Sequence, residues 1–147
     1  MTNRIIQWIE DVAQMRVKGK RPDIMLIEVG GTVGDIESMA YYEAIRQMIH
    51  GNPKNHCLVF LTYVPNVTAS GEQKTKIAQQ GIKELRHVGL IPDLIVCRTS
   101  EPICLSSKEK IALFGSLPVN HIFGAQDVKH LLEVVNVLED QGISRII

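Results

Sequence analysis

The sequence predicts an α/β fold: one domain with a parallel sheet and helices on both of its faces. Strand-length apolar runs alternate with stretches of helical periodicity, so successive strands are joined by crossovers and run parallel. Glycine and proline punctuate the junctions. One junction, Ile27-Glu28-Val29-Gly30-Gly31-Thr32-Val33-Gly34-Asp35-Ile36-Glu37-Ser38, carries three carboxylates where an apolar run breaks into a glycine-rich turn. Open α/β sheets bind ligands beyond the carboxyl ends of their strands, and such a turn belongs there.

The elements follow in order. Residues 2–15 place Ile5, Ile6, Ile9, Val12 and Ala13 on one helical stripe beside Trp8. Lys18 to Pro22 is a basic turn, and residues 23–29 are the first strand. Residues 36–49 form a helix with Met39, Ala40, Ile45, Met48 and Ile49 inward, stopped by Gly51-Asn52-Pro53. His56 to Val64 is the second strand. A helix over residues 71–88 follows, with Gly89 as a left-handed cap. Asp93 to Arg98 is the third strand. Ser106-x-x-Glu109 has the spacing of a capping box and opens a helix through Ile111, Leu113 and Phe114. His121 to Ala125 is the fourth strand, and the last helix follows Asp127 and stops at Gly142.

Composition narrows the function classes. Sixteen basic and sixteen acidic side chains cancel, which excludes a general attraction to nucleic acid or to a membrane surface. An anion site must then come from local clustering. No apolar run approaches the roughly 20 residues of a membrane span. Glu10, Asp11 and Arg16 interrupt any secretory signal at the N-terminus. The expectation is a soluble, cytoplasmic protein. Cys57 and Cys97 lie in strand-like runs and read as core thiols, while Cys104 lies in a loop. Neither a disulfide framework nor a catalytic thiol is indicated, and the five histidines show no metal spacing.

Three segments carry chemistry. Glu28 at a strand end suits Mg²⁺, which takes one or two carboxylates together with phosphate oxygens and water. Asp35 and Glu37 open a helix, where they serve as caps, as ligand contacts or as both. Gly71-Glu72-Gln73-Lys74-Thr75-Lys76 places two lysines and a hydroxyl in the first turn of a helix, whose free amides and dipole favour phosphate. Lys108-Glu109-Lys110 lies at another helix start and reads, taken alone, as a solvated charged face.

Together these segments resemble the synthetase (amidoligase) domain of the CTP synthase family. The matching strings are Glu28 to Ser38, Glu43-Ala44-Ile45-Arg46-Gln47, Gly71 to Lys76, Lys83-Glu84-Leu85, Pro92 to Arg98, and Lys108 to Phe114. Order and approximate spacing agree from about Asn3 onward. The resemblance implies a P-loop-NTPase-like, Rossmann-like amidoligase fold. It also implies a reaction in which ATP phosphorylates the 4-oxygen of UTP and ammonia from glutamine displaces the phosphate to give CTP. It casts Glu28 as a Mg²⁺ ligand, with ATP as co-substrate. Asp35, Ile36 and Glu37 would line the pocket shared by UTP and CTP. Lys74, Thr75, Lys76, Gln79 and Lys110 would contact the pyrimidine nucleotide, and the backbone at Val128 would meet the adenine ring. Partners implied are UTP, CTP, ATP, a glutaminase domain in the parent chain and further copies in a tetramer, with neither nucleic acid nor membrane.

The match departs in two places. The family continues its Lys-Thr-Lys with Pro-Thr-Gln-His-Ser, whereas this chain has Ile77-Ala78-Gln79-Gln80-Gly81, losing a hydroxyl and an imidazole. No Gly-x-x-x-x-Gly-Lys-Ser/Thr string and no Gly-x-Cys-x-Gly nucleophile occur among the 147 residues. The resemblance therefore casts residues 1–147 as the C-terminal part of a synthetase domain, catalytically silent by itself and with unpaired strand edges. A non-catalytic module that modulates the full-length enzyme is the alternative.

Overall fold

The computed structural model describes residues 1–67 and 71–147. The fold is α/β with a parallel sheet, and the chain divides into two compact units, Met1–His56 with His87–Leu90, and Cys57–Arg86 with Ile91–Ile147.

In the first unit α1 (Thr2–Gln14) packs against α2 (Met39–Gly51). Of the stripe predicted for α1, Ile5 is buried and Ile6, Ile9 and Ala13 are half-buried, while Val12 and Trp8 stand 37% and 62% exposed. Lys18 and Gly19, both at positive φ, form the tight turn that hydrogen bonds between Val17 and Lys20 close. On α2 the burial falls on Tyr42 and Ala44, and Met39, expected inward, is exposed. Ile36–Ser38 forms a separate short 3₁₀ turn before α2. Arg46 grips Glu43 through both nitrogens at 2.8 Å, and Gln47 adds a third donor at 2.7 Å. Those hydrogen bonds hold the Glu43 carboxyl down at about 2. The Arg46 side chain lies over Gly89, where a Cβ would come within 2.7 Å of Arg46 Cδ and φ is +77°. Only glycine fits both demands.

The expected first strand, residues 23–29, is absent as a strand. Leu26 and Ile24 stand 94% and 75% exposed, while Met25 and Val29 are half-buried. A strand requires a partner ladder to satisfy its backbone, and none of the described residues supplies one.

The second unit is the sheet. Strands β1 (Val59–Tyr63), β4 (Leu94–Arg98) and β5 (Ile122–Ala125) run parallel in the order β1-β4-β5. A two-residue hairpin, β2 (Asn66–Val67) with β3 (Glu72–Gln73), stands apart. Asp93 gathers the entry end of the sheet: its carboxylate accepts the Leu58 N–H at 2.7 Å and its carbonyl meets His121 Nδ1 at 2.7 Å. One face, Leu94, Val96, Phe123 and Ala125, is covered by Val134 and Leu138 of α5 (Glu133–Asp140) and by Ile143 and Ile146 beyond it. On the other face α3 (Lys76–His87) packs Gly81 onto the Phe60 ring, and α4 (Leu105–Gly115) packs Gly115 against Ile95. The outer edge of β5 is sealed by Gln141, whose side-chain amide accepts the Gly124 N–H at 2.9 Å and donates to the Gly124 carbonyl at 2.8 Å. Val59, Leu61 and Tyr63 of edge strand β1 remain 44%, 67% and 50% exposed.

Four further expectations change. The helix expected over residues 71–88 begins at Lys76, because Glu72 and Gln73 pair with Val67 and Asn66 instead. Cys104, not Ser106, precedes α4, and no side chain caps that helix. Leu113 and Phe114 face outward, and the burial on α4 falls on Ser107, Ile111, Ala112 and Gly115. Cys57 lies ahead of β1 and is exposed. Among the described residues no helix is long and apolar enough to cross a membrane.

Gly124 sits where a Cβ would approach Ile103 Cγ2 to 2.6 Å and the Ile103 backbone nitrogen to 3.4 Å. Gly124→Ala is expected to destabilise the sheet by about 1–3 kcal/mol through overpacking. Denaturant unfolding checks this, and an unchanged midpoint contradicts the packing described.

Candidate functional site

In the second unit the crossovers from parallel strands bring the starts of α3 and α4 to the carboxyl end of the sheet. There the Thr99 N–H bonds the Ala125 carbonyl at 3.2 Å, and Arg98 pairs with Asp127. Two buried polar atoms, Asn66 Oδ1 and Thr99 Oγ1, have no hydrogen-bond partner among the described residues.

A recess of about 270 Å³ opens between α3 and α4, lined by Lys76, Gln79, Gln80, Ile82, Lys83, Arg86 and Phe114. Its charged lining residues are all cationic. Lys76, Gln79 or Gln80, Lys83 and Arg86 follow one another at helical spacings of three and four, so one stripe of α3 presents them. Phe114 contributes a ring 47% exposed. Arg86 is steadied at the far end by donating to Ser116 Oγ at 2.8 Å. Cations, amides and one aromatic face suit a ligand that is an anion at one end and flat at the other.

Of the residues expected to bind, Lys76 and Gln79 share this recess, whereas Lys74, Thr75 and Lys110 do not line it. Thr75 is buried, and its hydroxyl accepts Gln79 Nε2 at 3.0 Å while its carbonyl accepts the Gln79 N–H at 3.0 Å. It orients Gln79 rather than reaching outward. Lys74 donates to the Glu72 carboxylate at 2.5 Å, and its backbone N–H bonds the Pro65 carbonyl at 2.9 Å. The Lys74 ammonium, by hydrogen bond and by charge, and more weakly Lys110, hold the Glu72 carboxyl below the usual carboxylate range. Lys108 is not the solvated charge expected of it. Half-buried, it donates to Gln141 Oε1 at 3.1 Å, and burial lowers its ammonium from the ordinary lysine value. Val128 is half-buried in the segment after β5.

The first unit holds the acidic turn. Gly31 and Gly34 take positive φ, 91° and 106°, which the turn requires. Asp35 Oδ2 accepts the Thr32 N–H at 2.9 Å, so this carboxylate stabilises its own turn and makes no cap to the 3₁₀ segment. The Tyr42 phenol is raised by burial and then by the charge of Asp35. Ile36 is 88% exposed, and Glu37 is exposed. Glu28 is also exposed and borders an apolar groove of about 280 Å³ lined with Trp8, Ile9, Leu26 and Tyr41 among others. No group of three His, Cys, Asp or Glu that could hold a metal occurs among the described residues. An accessible carboxylate outside any such group fits a cation that arrives already bound to phosphates.

A profile of the family described as CTP synthase N-terminus matches residues 1–147. The chain belongs to the CTP synthase N-terminal family. It is 41% identical over 150 residues to a CTP synthase of Dictyostelium discoideum, covering all of this chain and 26% of that protein. Identity to a Synechococcus CTP synthase is 42% over 142 residues, 96% of this chain and 26% of the relative. Identity to mouse CTP synthase 2 is 41% over 146 residues, 97% and 25% of the two chains. The chain thus spans about a quarter of the length of these CTP synthases.

At residues 77–81 the structure shows what two of the residues do. Ala78 is fully buried, so nothing at that position reaches a ligand here. A Cβ at Gly81 would come within 2.6 Å of the Phe60 ring, so glycine lets α3 approach the sheet there. Gln80, Lys83, Arg86 and Phe114 escaped the sequence reading. The α3 stripe was available as a signal, and Phe114 stands four residues after Lys110 on the same helix.

Thiol reactivity checks the electrostatics at the start of α4. Hydroxyls of Ser106 at 3.3 Å and Ser107 at 3.1 Å lie against the exposed Cys104 Sγ and hold that thiol below its ordinary range. Burial pushes Cys97 up to about 12 and also raises Cys57. Near neutral pH, Cys104 is expected to react first with a disulfide-exchange reagent, and Cys97 only on unfolding. Equal rates for Cys104 and Cys97 contradict this environment.

Proposed function

We propose that this chain is the C-terminal part of the synthetase domain of a CTP synthase, and that the recess between α3 and α4 takes part in holding UTP or CTP. One observation carries the reading: Lys76, Lys83 and Arg86 converge on a single recess beside an exposed aromatic ring. Triphosphate oxygens meet the cations, Gln79 and Gln80 offer amides, and the pyrimidine stacks on Phe114. Lys74 and Thr75 act from the segment between the hairpin and α3, and Lys110 acts from the middle of α4. By the family resemblance Asp35, Ile36 and Glu37 are further contacts for UTP or CTP in the parent enzyme, and the backbone at Val128 contacts adenine.

In the parent enzyme ATP phosphorylates the 4-oxygen of UTP, and ammonia released from glutamine by the glutaminase domain displaces that phosphate. Mg²⁺ supplies charge neutralisation of the ATP phosphates, and Glu28 is the residue of this chain that would hold it. The exposure of Glu28 supports that limited role. The binding residues named here position charge and exclude water, and none is assigned bond breaking. The parent enzyme is expected to be cytoplasmic and tetrameric.

A second reading, a module that binds pyrimidine nucleotide or assembles with CTP synthase without turnover, is favoured by the rewritten segment Ile77 to Gly81. Ammonia-dependent formation of CTP from UTP and ATP by the chain as it stands would overturn that second reading.

The first reading is tested by calorimetric titration with UTP. Lys76→Ala is expected to weaken binding by about 1.5 kcal/mol, the lower range for a charge-assisted hydrogen bond at an exposed site. Rising ionic strength should weaken the wild-type chain in the same direction. Affinity that ignores both the substitution and the salt would show that the cationic recess does not bind the nucleotide.

A further inference from the structure

The hairpin that precedes Lys74 and Lys76 has two residues in each strand, too little pairing to hold a fixed position by itself. Its last residue, Gln73, leaves the hairpin sideways. Gln73 Nε2 donates to the Pro102 carbonyl at 3.0 Å, and Gln73 Oε1 accepts the Cys104 N–H at 2.9 Å. Both ends of the amide are satisfied, and the two partners define which end points where. Cys104 is the residue on which α4 begins, and α4 carries Lys110 and Phe114. One side chain thus joins the polypeptide that leads into α3 to the polypeptide that leads into α4. The recess between these helices is tied again at its other end by Arg86 and Ser116, 2.8 Å apart. Its width is set by a polar link at each end.

We propose that Gln73 is a positioning residue for the nucleotide recess, clamping the start of α3 to the start of α4 so that Lys74 and Lys76 are held in register with Lys110 and Phe114. This rests on the recess binding a pyrimidine triphosphate, and it adds a residue that touches no ligand. The shared influence of Lys74 and Lys110 on the Glu72 carboxylate agrees with the two elements lying close together. Methionine at this position would keep the length and lose both hydrogen bonds. Glutamate would keep the acceptor and set a carboxylate against the Pro102 carbonyl.

The test is a double-mutant cycle on the chain with UTP as the probe, read by calorimetry. Gln73→Met is expected to weaken binding about tenfold, the effect of one or two net hydrogen bonds. Lys110→Ala should cost clearly less in the Gln73→Met background than alone, because the lysine is no longer held in place. Additive effects, or unchanged affinity in Gln73→Met, overturn the clamp. Lys76→Ala separates this from failure of the underlying reading: if it weakens UTP while Gln73→Met does not, only the clamp falls, and if neither matters, the recess falls too. Should Gln73→Met fail to fold, Cys104→Ala, which loses only the thiol contacts with Ser106 and Ser107, is compared with Cys104→Pro, which also loses the N–H that Gln73 accepts, at a residue whose φ of −76° suits proline. The same non-additivity with Lys110→Ala is expected there, and additivity overturns the proposal.

Discussion

Everything that positions the candidate site in the second unit depends on β4 being sandwiched between two parallel neighbours. Leu94, Ile95 and Cys97 are fully buried, and the strand pairs with β1 on one side and β5 on the other. A parallel ladder puts all three carboxyl ends on one side and forces each connection to cross back over a face. The starts of α3 and α4 then meet at that side, both on the face marked by Phe60, Ile95 and Gly124. Close glycine contacts at 81, 115 and 124 let the helices and the Ile103 loop approach the sheet. A cationic stripe on α3 and an aromatic ring on α4 become walls of one recess as a consequence of topology rather than of sequence proximity.

The sheet's two edges are treated differently. At β5 the Gln141 amide imitates a neighbouring strand and closes both backbone groups of Gly124, with Lys108 drawn in behind it. Edge closure of this kind removes a template for unwanted pairing. At β1 the alternate side chains Val59, Leu61 and Tyr63 face solvent, and α5 covers only the β4 and β5 part of that face. Exposed apolar residues also occur in the first unit, over residues 24–27.

The strands over residues 94–98 and 122–125 were legible because strands buried on both faces read as continuous apolar runs, and residues 59–63, open on one face, read as a strand through their branched and aromatic side chains. The run at residues 23–29 reads the same way, yet a run of residues states only that a strand is possible, and pairing is decided by what lies alongside. The start of α3 was misplaced for a related reason: Glu72 and Gln73 look like helix residues, but their register with Asn66 and Val67 is a tertiary fact. Ser106-x-x-Glu109 matched a capping box by spacing while Gln73 occupied the Cys104 N–H from 31 residues away. The charged residues at 74 and 76 were visible as a cluster. The role of Phe114 was not, because an apolar residue in a helical pattern reads as core until its exposure is known.

The functional account rests on one claim, that the recess between α3 and α4 is where a pyrimidine triphosphate sits. Mapping backbone and side-chain NMR shifts of the isotope-labelled chain during a UTP titration tests it most directly. Saturable changes centred on Lys76, Gln79, Lys83, Arg86 and the Phe114 ring, with the Gln73 amide and Cys104 N–H responding together, are the predicted result. Changes confined to other surfaces, or none at concentrations that saturate binding measured by calorimetry, would contradict it.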